Sequence, residues 1–230
     1  MFFKRKPKLK YYIADQSFVD GRVVIVEEPK WDSGFKSILK DNNATHIRFS
    51  WSAGWREENY SFLEELSDFG LEGLGICTYD KVDLSPIRDL RDLKILSFNQ
   101  GYYSNCPDFS EFKNLKCLKF DYQPTARSVF KCVGLETLYL FRYPHENLLP
   151  ISHMSHLKRL VISGSKIKSL KGIDQLSELD VLDIHYGKNL GSLDYVEQCS
   201  KLRAVTLFRC GDVAKNNDFK GIVDNRKGMN

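Results

Sequence analysis

The sequence predicts an α/β solenoid, a stack of short repeats whose strands form one parallel sheet on a concave face. Two observations predict this fold. A leucine pattern recurs about every 22 residues over most of the 230-residue chain, and a second apolar pattern with a period of three lies between successive copies. One such unit cannot bury its own leucine layer, whereas stacked neighbours can.

The first pattern is Leu-x-x-Leu-x-Leu, in which the alternation suits a strand with one buried face. Seven copies begin at Leu71, Leu93, Leu115, Leu135, Leu157, Leu179 and Leu202. Their first positions are separated by 22, 22, 20, 22, 22 and 23 residues. A weaker copy begins at Ala44, so we expect about eight repeat strands.

The second pattern places an apolar residue at every third position between strands. One example comprises Leu84, Ile87, Leu90 and Leu93. Side chains three residues apart align on one side of a 3₁₀ or short helical segment. We therefore expect each repeat to have a strand, a tight helical return, and leucines between the two.

These motifs resemble the leucine-rich-repeat family, and in particular its short 22-residue bacterial class of internalin-like and phosphatase-regulator-like proteins. The resemblance covers about residues 44–210. It implies a horseshoe-shaped solenoid that binds another macromolecule, without identifying that macromolecule. The asparagine that closes each turn in this family is replaced here, so we expect irregular turns. The replacing residues are Gly101, Gln123, Tyr143, Ser165 and Cys210.

The predicted domain organisation is a cap at residues 1–43, the solenoid at 44–212, and a thin C-terminal cap and tail at 213–230. A solenoid end exposes a leucine layer that needs a cover.

Within the N-terminal cap, residues 11–13 and 22–26 are predicted strands around the Asp20-Gly21 turn pair. Phe35, Ile38 and Leu39 predict a short helix that ends before the first repeat strand.

Composition and charge narrow the class of protein. The net charge of +4 and the sequence pI near 8.6 are too weak to predict nucleic-acid binding without a local cluster. One basic cluster, residues 4–10, is either a solvated tail or a contact with an anionic surface. There is no apolar stretch of the roughly 18 residues that a membrane span needs, and no secretory signal. None of the six cysteines forms a CxxC pair, so we expect reduced thiols in a cytoplasmic protein.

Catalytic signatures do not emerge from the sequence. Ser163-Gly164-Ser165-Lys166 lacks the spacing of a phosphate-binding loop. His145, His153 and His156 lie near one another in sequence without a cysteine or acidic residue to complete a metal site. We therefore expect no enzyme activity, no cofactor, no metal and no small-molecule substrate.

Positions 3, 5 and 7 of each repeat strand should point away from the core, onto the concave face. Aromatic residues on such a face, flanked by charged ones, are typical of protein interfaces. The alternative is that some of these aromatics pack over irregular turns, and that the two tryptophans act as lids on the cap. The predicted partner-contacting residues are Arg48, Trp51, Trp55, Asn99, Tyr102, Tyr103, Lys119, Asp121, Tyr139, Phe141, Tyr143, Arg159, Asp183, His185 and Phe208.

The charged residues of this face alternate in sign, which argues against a nucleic-acid ligand. The sequence therefore predicts a non-catalytic intracellular module that binds a protein partner. Resemblance to small bacterial repeat proteins suggests an immunity-type inhibitor of a toxin or effector. The alternative is a regulatory or scaffolding subunit of another enzyme or complex. The oligomeric state is not predicted.

Overall fold

The computed structural model describes residues 9–15, 22–99, 101–211, 213 and 222–224. The chain forms two compact units, Met1–Pro107 and Asp108–Asn230, here called unit 1 and unit 2. Across the described residues, all eight predicted repeat strands are present, and the sheet is mostly parallel.

Unit 1 begins with the predicted cap. Strands β1 (Tyr11–Asp15) and β2 (Arg22–Val26) pair antiparallel; the Asp20-Gly21 turn lies outside the described residues. Helix α1 (Phe35–Asp41) follows and buries Phe35 and Leu39.

The repeat strands of unit 1 are parallel and continue from the cap. They are β3 (His46–Ser50), β4 (Gly73–Cys77) and β6 (Ile95–Asn99), joined in the order β2-β3-β4-β6. Two further short strands, β5 (Lys81–Asp83) and β7 (Tyr102–Asn105), form a separate parallel pair.

Unit 2 is a sheet of six parallel strands in chain order. They are β8 (Cys117–Asp121), β9 (Thr137–Phe141), β10 (Arg159–Ser163), β11 (Val181–His185), β12 (Ala204–Phe208) and β13 (Ile222–Asp224). Strand β13 lies within the predicted C-terminal cap. Most of that cap falls outside the described residues.

The returns between strands are 3₁₀ segments, as the period of three predicts. They span Trp51–Ala53, Ser61–Leu66, Ser85–Asp89, Phe109–Glu111, Pro124–Lys131, Leu149–Ile151, Ile173–Gln175 and Val196–Gln198. Their apolar residues face the strand leucines: Ile87, Ile151 and Ile173 are all fully buried.

The replaced asparagines do not leave the turns of unit 2 open. Tyr143, Ser165 and Cys210 are all buried at that position. The Tyr143 hydroxyl donates a 2.7 Å hydrogen bond to the carbonyl oxygen of Asn147, and the Cys210 thiol lies 3.2 Å from the carbonyl oxygen of Ile184. Side chains of different shape therefore fill this position, and two of them bond backbone carbonyl groups.

Candidate interaction surface on the strands

The in-register pairing of unit 2 aligns outward-pointing side chains in rows across the strands. The row nearest the strand ends contains Asp121, Phe141, Ser163, His185 and Phe208. The row beside it contains Lys119, Tyr139, Val161, Asp183 and Thr206. These two rows together with Arg159 are called the strand face below.

An aromatic pair occupies one part of the strand face. Tyr139 and Phe141 both point outward from β9 and are partly exposed. The Lys119 ammonium lies 5.6 Å from the Tyr139 ring centroid and 5.9 Å from that of Phe141. Val161, beside Tyr139 in its row, is only 6% exposed. Tyr139, Phe141 and Val161 thus form an apolar surface, and the Lys119 ammonium lies near its two rings.

Both carboxylates of the strand face are paired with arginines. Asp183 is 6% exposed and forms an ion pair with Arg159, whose side chain remains 44% exposed. Asp121 pairs with Arg142 at 3.5 Å between Nη2 and Oδ2. Asp183 was predicted to contact a partner directly, and this is corrected: Arg159 presents the outer surface of their pair.

The residue that follows each strand adopts an unusual backbone conformation in four successive repeats of unit 2. Arg142, Gly164, Tyr186 and Arg209 all have φ between 56° and 60°, a region that non-glycine residues rarely occupy. The Arg142 and Tyr186 amides each donate a 2.7 Å hydrogen bond to the next strand's last carbonyl. These bonds extend the sheet ladder and hold the left-handed conformation.

This conformation places a second cluster of aromatic rings and a cation at the β12 end of the rows. The Arg209 guanidinium lies 5.3 Å from the Phe208 ring and 5.6 Å from the Tyr186 ring. Tyr186 and Phe208 meet edge to face at 5.3 Å, and His185 also meets Phe208 edge to face. Arg142 and Arg209 are not among the contact residues that the sequence predicts. Their recurrence directly after position 7 was the available signal.

In unit 1 the corresponding face is filled by its own side chains. A Cβ atom added to Gly73 would lie 1.9 Å from Cδ2 of His46, and one added to Gly75 would lie 3.1 Å from Cγ of Arg48. His46 and Arg48 therefore lie across the glycines of β4. Arg48 remains partly exposed, whereas the Oδ1 atom of Asn99 is buried and unavailable to a partner.

Trp51 stands out in unit 1 as an exposed tryptophan. It is 40% exposed, with the Arg56 guanidinium 4.2 Å from its ring and Tyr79 edge-on at 5.3 Å. Arg56 also donates 2.6 Å hydrogen bonds to the carbonyl oxygens of Trp51 and Trp55. Arg56 and Tyr79 were absent from the predicted contact residues.

Three predicted contact residues are core residues and are corrected here. Trp55 is 1% exposed, packs 4.4 Å from Phe49 and donates to the Tyr60 hydroxyl, so it acts as the lid that the alternative described. Tyr103 is 3% exposed because strand β7 turns it inward and turns Tyr102, 64% exposed, outward. Tyr143 is 1% exposed because it fills the turn.

Metal-binding clusters and thiols are two kinds of reactive group that can be assessed among the described residues. No three His, Cys, Asp or Glu side chains among them cluster as a metal-binding group. Cys117, Cys132 and Cys199 are free thiols, and burial raises the pKa of Cys117 and Cys199 to about 11 and that of Cys132 to about 12. They remain protonated, and so weakly nucleophilic, at neutral pH. Helices in the described ranges are too short or too polar to cross a bilayer.

Comparison with solved structures shows the same fold elsewhere. An internalin (InlF) from Listeria monocytogenes matches with a TM-score of 0.52 and 16% identity over 81% of this chain and 59% of that one. A leucine-rich-repeat protein from Leptospira interrogans matches with a TM-score of 0.53 and 18% identity, again over 81% and 59%. The chain thus spans about three fifths of the length of each. No protein-family model matches, and neither does any curated protein.

The repeats and the structural neighbours together show that the chain has the leucine-rich-repeat solenoid fold. At these identities the likeness concerns the fold alone, so function must be argued from the chain's own surface.

Proposed function

We propose that this chain is a non-catalytic module that binds a partner protein through the strand face of unit 2. The observation that carries the proposal is the set of partly exposed aromatic rings Tyr139, Phe141 and Phe208 on one sheet face, each with a basic side chain beside it. Large rigid rings with polar neighbours are the groups that dominate protein-protein binding energy.

The proposed cellular setting is a reducing one, such as the bacterial cytoplasm. The free thiols of Cys117, Cys132 and Cys199 support it, since disulfides are the rule for small domains in oxidising compartments.

The test is affinity capture with the Tyr139→Ala/Phe141→Ala variant beside the wild-type chain. Loss of two central aromatics at an interface costs about 3 kcal/mol, which is about a hundredfold in affinity. We expect a stoichiometric partner on the wild type and none on the variant. Because both rings are partly exposed, the melting temperature should fall by only a few degrees.

The matched control is Val133→Ala/Leu149→Ala, which also removes two apolar side chains. These residues are 57% and 40% exposed and lie outside the strands of unit 2. The control should capture the partner like the wild type. Equal capture by all three proteins would contradict the assignment of the strand face.

Two more specific functions, an inhibitor and a regulatory or scaffolding subunit, predict different effects on the activity of a purified partner. An immunity-type inhibitor should abolish a toxin's activity at one equivalent. A regulatory or scaffolding subunit should leave its enzyme active while altering substrate choice or assembly. We propose the inhibitor as the first form to test, because a module that occupies a surface can act by occlusion alone.

A further inference from the structure

We propose that the strand face recognises an acidic, extended segment of its partner, with two carboxylate side chains about six residues apart and an apolar side chain between them. This inference rests on the proposed function, because it specifies the chemistry that the same face selects.

The charge on and beside the strand face is unbalanced. Four basic side chains lie there, Lys119, Arg142, Arg159 and Arg209. Arg142 and Arg159 are paired with the two carboxylates described above. Among the described residues, Lys119 and Arg209 have no carboxylate within ion-pair distance and contact aromatic rings instead.

Contact with a ring leaves the donors of these cations available. A lysine ammonium has three N–H donors and an arginine guanidinium has five, and stacking against a ring uses none of them. The rings also restrict each cation to one region, which lowers the entropy lost when a carboxylate binds. Lys119 and Arg209 are thus preorganised for anionic groups.

The distance between these cations sets the spacing of the anions. Lys119 lies on β8 and Arg209 directly follows β12, four strand steps away. Neighbouring strands are about 4.8 Å apart, so the two residues are separated by ~19 Å measured across the strands. An extended chain advances about 3.3 Å per residue and covers that distance in about six residues.

In the two rows, the residues contributed by β9 and β10 are apolar or small. Tyr139 and Phe141 lie on β9, with Val161 and Ser163 beside them on β10. Ser163 is flanked in its row by Phe141 and His185. Because the serine side chain is much smaller than its two neighbours, the surface has a depression at this position. A leucine or aromatic side chain of the partner would fit at this position.

A nucleic-acid strand fits this charge distribution less well. Its phosphates carry charge at every step, whereas Asp121 and Asp183 interrupt the basic residues of this face. Nucleic-acid platforms repeat Lys and Arg along one column, whereas Lys119 and Arg209, which pair with no carboxylate of the described residues, are four strand steps apart.

The experiment is a selection of random 12-residue peptides, displayed on phage, against the 230-residue chain. We expect the enriched peptides to carry a net negative charge, with Asp or Glu at two positions about six residues apart and an apolar residue between them. Fluorescein-labelled copies should bind at least about tenfold more weakly to Lys119→Glu/Arg209→Glu, because like charges would then face each other.

The control for net charge is Lys131→Glu/Lys171→Glu, which reverses two exposed lysines outside the strands of unit 2. It should bind the acidic peptides with wild-type affinity. A selection on Lys119→Glu/Arg209→Glu should enrich basic peptides instead. No enrichment, enrichment of neutral or basic peptides on the wild type, or tighter binding of a labelled 12-nucleotide oligouridylate would overturn the inference.

The Tyr139→Ala/Phe141→Ala variant separates this inference from the proposed function. If the enriched peptides need the two rings but show no preference for acidic residues, the strand face remains the proposed binding site and the proposed acidic segment is contradicted. If the enriched peptides bind equally well to both variants and to the wild type, the assignment of the strand face as the binding site is contradicted.

Discussion

At the scale of single residues, His46 is a titratable group that is buried on strand β3 of unit 1. Its side chain lies across Gly73, and Nδ1 is 3.1 Å from the Thr45 hydroxyl. Burial holds its pKa below the usual histidine value, with a smaller opposing effect of Glu72 and a further lowering by Lys94. The folded state therefore favours the neutral ring.

This burial predicts a pH dependence of stability. Because the folded-state pKa lies below the unfolded value of about 6.5, the unfolded chain takes up the proton first. The contribution of His46 is thus complete above that pH and is lost as the pH falls below it. Urea unfolding at pH 8.0 and pH 5.5 should show a larger loss of stability for the wild type than for His46→Gln. An identical loss in both proteins would mean that the ring is solvated in solution.

At the scale of elements, the repeat returns depend on close backbone approach at one glycine. Gly172, which precedes the Ile173–Gln175 segment, has φ of 100°. A Cβ atom there would lie 2.9 Å from the backbone nitrogen of Leu149 and 3.0 Å from the carbonyl carbon of Leu148. Neither backbone atom can move without displacing the preceding return.

We expect Gly172→Ala to destabilise the protein by ~2–4 kcal/mol, the sum of a left-handed alanine and an overpacked contact. Gly164→Ala is the matched control, since Gly164 also has positive φ but a Cβ atom would meet no heavy atom within 4 Å. That substitution should cost only ~1 kcal/mol. Urea midpoints from circular dichroism measure both, and equal losses would show that backbone strain alone decides the effect.

The elements also show what the sequence can and cannot predict. Repeat strands were predictable because each leucine of Leu-x-x-Leu-x-Leu has only one way to reach the core. Strands β5 and β7 were not, because they are three and four residues long, mostly polar and outside the motif. Because the motif does not predict β7, it also does not predict that alternation along this strand turns Tyr103 inward. The prediction that Tyr103 is an exposed contact residue is therefore wrong.

The candidate site was less predictable than the fold. Outward positions such as Tyr139 and Phe141 follow from alternation along a strand. The burial of Asp183 depends on Arg159 of the neighbouring strand, and the position of Arg209 depends on a left-handed φ that arginine rarely adopts. The local sequence predicts neither which side chain of a neighbouring strand will form a contact nor that an arginine will adopt a left-handed φ.

At the scale of the whole molecule, the three tryptophans provide an intrinsic reporter of which surface a ligand covers. All three, Trp31, Trp51 and Trp55, belong to unit 1, whereas the strand face belongs to unit 2. Trp51 is 40% exposed, Trp31 is exposed to a smaller extent and Trp55 is only 1% exposed, so iodide quenching of tryptophan fluorescence should report mainly on Trp51.

A ligand confined to the strand face should therefore leave iodide quenching unchanged at saturation. The measurement uses an unlabelled copy of an enriched acidic peptide, with its binding followed separately by competition against the labelled form. Acrylamide, which is uncharged, controls for changes in the local potential around Arg56, whose guanidinium stacks on Trp51. A fall in quenching by both agents would instead place the ligand on Trp51 and Tyr79, and would support Trp51 as the binding anchor that its exposure allows.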